Sequence, residues 1–102
     1  MIKAEIKRDE ATGKITSIEV KGHSGKDTKG KDLVCAAVSA VLTGGFNALQ
    51  DKEYQFILES GNALVKALDI PSDYDSVVLK TIETQLKTIE EAEPSFVQVK
   101  NL

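Results

Sequence analysis

The chain contains one histidine, His23, and one cysteine, Cys35. A cysteine sulfur attacks carbonyl carbon as the thiolate, and a nearby imidazole can accept and return the proton, so the pair could support acyl transfer. Both residues flank one polar loop in the stretch GHSGKDTKGKDLVCAAVS, from Gly22 to Ser39. If Asp32 caps a helix that begins after it, its side-chain oxygen accepts from the first free backbone N–H groups and Cys35 falls in the first turn. There the helix dipole favours a thiolate, and an adjacent imidazolium favours it further. Ser39 follows Cys35 by one helical turn on the same face, where it could support the site or bond back within the helix. Residue types alone leave another reading open. A cysteine followed by Ala36-Ala37-Val38 can be a small core hydrophobe, and a histidine at a strand end can be a surface residue.

The segment from Ser24 to Lys31 has no large apolar residue, so it reads as a solvated, mobile connector that would close over a substrate only if the Cys–His site is real. Gly25 to Lys31 also fits the first seven positions of the phosphate-binding pattern G-x-x-x-x-G-K-[ST]. Asp32 then stands where the magnesium-binding hydroxyl belongs and sets negative charge beside the phosphates. A hairpin precedes the pattern in place of a parallel βαβ unit, so nucleotide binding remains only an alternative.

With 102 residues the chain reads as a single domain, residues 1–102, with one core. The 13 basic and 16 acidic residues give a net charge of -3, which argues against direct nucleic-acid binding. A lone cysteine excludes an internal disulfide and a multi-cysteine zinc site and suits a reducing compartment, with the cytoplasm as the expectation. The opening MIKAEIKRDE alternates apolar and charged residues where a signal peptide would have an apolar core. No stretch reaches transmembrane length, so no membrane association is expected. No cofactor and no metal site is read.

Ile2, Ala4 and Ile6 alternate with charged residues, and Thr16, Ile18 and Val20 share one face after a polar turn, so the first two strands should form a hairpin. From Leu33 to about Leu49 apolar residues surround most of a helix, which predicts extensive burial, with Gly44 and Gly45 allowing close approach of a neighbour. Tyr54 to Glu59 and Ala63 to Leu68, split by Ser60-Gly61-Asn62, read as a second hairpin. Ser72 and Asp75 sit at capping-box spacing before a helix with the stripe Val78, Leu79, Ile82, Leu86 and Ile89, and Glu83 with Lys87 reads as a surface pair. The acidic end, Glu90 to Glu93, reads as solvated, and Ser95 to Lys100 as a last strand after Pro94. The order β-β-α-β-β-α-β predicts an α+β fold: two helices packed on a largely antiparallel sheet, with the site at the sheet's edge.

At Gly22-His23, Gly30, Asp32 and the block Leu33-Val34-Cys35-Ala36-Ala37-Val38-Ser39 the chain resembles the ribosomal-processing cysteine proteases called Prp. Thr88-Ile89-Glu90-Glu91, the size and the element order are also similar. The resemblance implies a cytoplasmic, homodimeric cysteine endopeptidase that trims the N-terminal extension of a large-subunit ribosomal protein after a hydrophobic, phenylalanine-containing sequence. It implies Cys35 as nucleophile, His23 as general base and acid, and Gly22, Asp32 and Ser39 as supporting positions. Two other classes stay open: a non-catalytic, ribosome-associated protein-binding module with Cys35 in its core, and the nucleotide binder. The helix-start amides are candidate oxyanion donors, and Asp32 either orients His23 or caps the helix.

Overall fold

The computed structural model describes residues 1–25, 32–51 and 53–102. Its elements run β1 (Ile2–Arg8), β2 (Ile15–Lys21), α1 (Leu33–Ala48), β3 (Tyr54–Glu59), β4 (Asn62–Ala67), α2 (Asp73–Ala92) and β5 (Val97–Asn101). The strands form one sheet in the order β3-β4-β2-β1-β5. β1 with β2, β2 with β4 and β3 with β4 pair antiparallel, whereas β1 and β5 run parallel. The α+β architecture and the largely antiparallel sheet are as the residue pattern predicts.

Ile6 pairs with Ile18 and Ala4 with Val20, so the apolar halves of β1 and β2 fall on one face. A register shift between Lys7 and Arg8 sets Arg8 opposite Ile15. An irregularity of this kind changes which residues face the core, and Ile15 is buried where Thr16 was expected. Ile6, Ile18, Leu79, Ile82 and Leu86 are almost wholly buried in one cluster shared by the sheet and both helices. Burial of each such side chain stabilises the fold by about 1.5–3 kcal/mol.

Helix α1 departs from expectation. Only Val34, Val38, Leu42 and Phe46 are buried, a single stripe at four-residue spacing, while Leu33, Ala36, Ala37 and Ala40 face outward. The small residues are apolar by type yet have little surface to hide, so they did not have to be covered. Gly45 does serve close packing: a β-carbon there would stand 2.5 Å from Ile82 Cδ1 on α2. Gly44 has open space instead.

Half of the capping box at α2 is formed. Ser72 is the N-cap and accepts from the Asp75 amide, but the Asp75 carboxylate turns away from the helix start. It accepts from the amides of Gln50 and Asp51 and from the Tyr54 hydroxyl, each at 2.8–2.9 Å, and Asp51 takes the Ser72 amide in its place. A fully buried carboxylate with three donors thus ties the α1–β3 connection to α2. Glu83 is also no surface residue: it is buried, bonded to Arg8 at 2.6 Å, with Lys87 at 3.5 Å. Glu90 accepts from the Val99 amide and so fastens β5 rather than simply facing solvent. Because loss of Asp75 would strand three donors beside the core, Asp75→Ala should lower unfolding free energy by about 2–4 kcal/mol in urea denaturation, with Tyr54→Phe costing less.

Candidate active site

β2 carries the site to the end of the sheet. Beyond the pairing of Lys21 with Asn62, the Gly22 amide donates to the Gly61 carbonyl at 3.0 Å, extending the β2–β4 ladder by one bond. Gly22 has φ 100°, and a β-carbon there would lie 2.3 Å from the Met1 carbonyl oxygen. Backbone conformation and space both demand glycine. The chain therefore leaves the sheet at Gly22 and presents His23 as an exposed side chain. Since β2 is the middle strand, flanked by β4 and β1, the site lies at the end of the sheet's centre, not at its edge.

Asp32 is the N-cap of α1. Its Oδ1 accepts from the amides of Val34 at 3.0 Å and Cys35 at 3.1 Å, and its Oδ2 accepts from the Ser24 hydroxyl. The Ser24 hydroxyl, then the Cys35 amide, hold the carboxyl down to about 2 against the opposing effect of burial. Ser24 in turn donates its amide to Cys35 Sγ at 3.4 Å. Ser24 is buried, so at least this residue is no solvated connector: its hydroxyl tethers the chain after His23 to the cap of α1. The phosphate-pattern positions Lys26 to Lys31, with Gly30 among them, lie outside the described residues.

Cys35 is half-buried in the first turn of α1 and packs against the core. It opens on a cleft of about 480 Å³, which all five anticipated site residues line: Gly22, His23, Asp32, Cys35 and Ser39. Ser39 is exposed on the α1 wall. Ile2, Val20, Val38 and Leu42 give the cleft an apolar floor, and Leu58, Gly61 and Asn62 of the β3–β4 hairpin form a further wall. This wall and Ser24 escaped the sequence reading. The Ser60-Gly61-Asn62 turn signal was visible, but nothing local tied it to His23. The amides of Val34 and Cys35 are engaged by the Asp32 carboxylate and that of Ala36 by the Asp32 carbonyl, so these candidate oxyanion donors are already occupied. Among the described residues no cluster of three His, Cys, Asp or Glu side chains is placed to hold a metal ion.

A depressed carboxyl makes the cap sensitive to acid. The Asp32 carboxyl titrates at about 2 in the fold against an ordinary 3.8, so the unfolded chain takes up the proton first. The charge-dependent stabilisation is then complete above about pH 4 and lost as pH falls through about 2. Asp32→Asn keeps an acceptor for the two amides but removes this titration. In thermal melts taken between about pH 5 and pH 2, the acid-side fall in Tm should therefore be shallower in the variant than in the parent.

The fold recurs in known proteins. The family described as cysteine protease Prp matches residues 1–98. The ribosomal processing cysteine protease Prp of Staphylococcus aureus is 32% identical over 84 residues, covering 78% of this chain and 79% of that protein. Its counterpart in Mycoplasma genitalium is 31% identical over 83 residues, covering 78% and 81%. A crystal structure of the essential S. aureus Prp with a covalently linked product peptide superposes with a TM-score of 0.92 at 29% identity, over 100% of both chains. The same protease with a substrate peptide gives 0.87 at 27% identity, again over 100% of both. The family match runs along nearly the whole sequence, and this chain belongs to the cysteine protease Prp family.

Proposed function

We propose that this protein is an endopeptidase that removes the N-terminal extension of a large-subunit ribosomal protein, cutting after a hydrophobic, phenylalanine-containing sequence. The observation that carries the proposal is the shared cleft, with His23 at the end of β2 and Cys35 in the first turn of α1. A cysteine with a purely structural role would lie in the core, whereas Cys35 is half-buried and open to this cleft. The apolar floor of Ile2, Val20, Val38 and Leu42 suits a hydrophobic side chain on the substrate, and Leu58 on the rim is half-exposed.

In the proposed reaction the Cys35 thiolate attacks the scissile carbonyl carbon, and the carbonyl oxygen takes up the negative charge. As the tetrahedral intermediate collapses, the carbon–nitrogen bond breaks and His23 gives its proton to the departing amine. The acyl group stays on sulfur as a thioester. Water, losing a proton to His23, then attacks the thioester and releases the carboxylic acid and the thiolate. Both Asp32 oxygens are engaged, by the helix amides and by Ser24, so Asp32 acts as a positioning residue and His23 with Cys35 works as a dyad. Ser39 lines the wall beside the nucleophile as a supporting position. The proposal takes residues 1–102 as one catalytic domain, working in the cytoplasm as a homodimer. That no described helix is long and apolar enough to cross a membrane is compatible with this setting.

Mass spectrometry of a peptide spanning a phenylalanine-containing extension tests the proposal. The parent chain should cut at one hydrophobic site, Cys35→Ala should not cut, and His23→Ala should be slower by about 10²–10⁴-fold. Cleavage by folded Cys35→Ala would overturn the mechanism, and a parent chain that cuts neither peptide nor intact ribosomal protein would favour a binding module.

A further inference from the structure

The β3–β4 turn does more than join two strands. An added β-carbon at Gly61 would lie 2.7 Å from His23 Nε2, 3.2 Å from Cε1 and 3.4 Å from Cδ2. The imidazole thus rests in the space that any other residue would fill with a side chain. The same Gly61 holds the end of β2 through its carbonyl, which accepts from the Gly22 amide at 3.0 Å. One residue therefore fixes both the backbone entering His23 and one side of its ring. With Asn62 and Leu58, Gly61 also lines the cleft that Cys35 lines.

We propose that Gly61 is a positioning residue for the reaction, and that its bare α-carbon is the surface that keeps the His23 ring on the cleft. The inference rests on the proposed role of His23 as general base and acid. His23 is exposed, so its ring, rather than the backbone of the turn, is the part that yields to a new β-carbon. Displacing a proton-transfer group by about 1 Å can cost on the order of 10²-fold in rate while leaving peptide binding in the cleft largely intact.

Gly61→Ala tests this, with a built-in control. Gly61 has φ +75°, where a side chain strains the backbone, so a loss of activity could reflect strain alone. Gly13, in the β1–β2 turn, has φ +73° and nothing within 4 Å of its β-position, so Gly13→Ala carries the strain without the contact. The expected result is a fall in kcat of about 10- to 100-fold for Gly61→Ala with KM little changed, and a kcat near the parent value for Gly13→Ala. His23 is the chain's one histidine, so its ring resonances can be followed directly. In the parent they should show a nuclear Overhauser contact to the Gly61 α-protons, and they should shift in Gly61→Ala but not in Gly13→Ala. Equal kcat in the two variants, or absence of that contact in the parent, overturns the inference. A parent chain without peptidase activity would count against the proposed function instead, and the ring contact and its shift would still decide the role of Gly61.

Discussion

The Asp32 carboxylate is the constraint on which the site depends. Oδ1 accepts from the first amides of α1 and Oδ2 from the Ser24 hydroxyl, so one residue joins the helix that carries Cys35 to the chain that leaves β2 just after His23. Without such a tie His23 and Cys35 would be joined only through a polar stretch of sequence. Ser24 closes the arrangement, because the residue tethered by its hydroxyl also aims its amide at Cys35 Sγ. Helix capping, loop anchoring and presentation of a donor to the sulfur are thus one hydrogen-bonded unit.

The sheet supplies the other half of the construction. β2 is held between β1 and β4, and the glycine at its end lies against the Met1 carbonyl on one side and Gly61 on another. A functional side chain leaving the end of a central, doubly paired strand inherits the rigidity of the sheet. Outside the cleft lining, the Asp75 carboxylate fastens the α1–β3 connection to α2 through three donors.

Much of this was legible in the residues. Alternation in Ile2 to Ile6, the polar turn before Ile15 and the glycine-marked turn at Ser60-Gly61-Asn62 were enough to give both hairpins. Asp32, three residues before Cys35, was enough to give the cap. Long-range pairing was not legible: nothing in the run after Pro94 specifies that β5 lies parallel beside β1, and this pairing, with β4 on the other side, moves the site from an edge to the centre. Apolar type also misled for α1, where Ala36, Ala37 and Ala40 face outward because small side chains bury little area whichever way they point. Gly61 could be read as a turn residue, yet its contact with His23 depends on the register of β2 against β4, which the local sequence does not encode.

In the proposed mechanism the Asp32 cap organises Cys35 for attack within the cleft. Its most direct test is the rate at which a phenylalanine-containing peptide chloromethyl ketone alkylates the protein, followed by intact mass spectrometry in the parent and in Asp32→Ala, with circular dichroism to verify folding. A single adduct on Cys35 is expected, with loss of chloride, forming several-fold more slowly in the folded variant. An unchanged rate in folded Asp32→Ala, or an adduct away from Cys35, would contradict it.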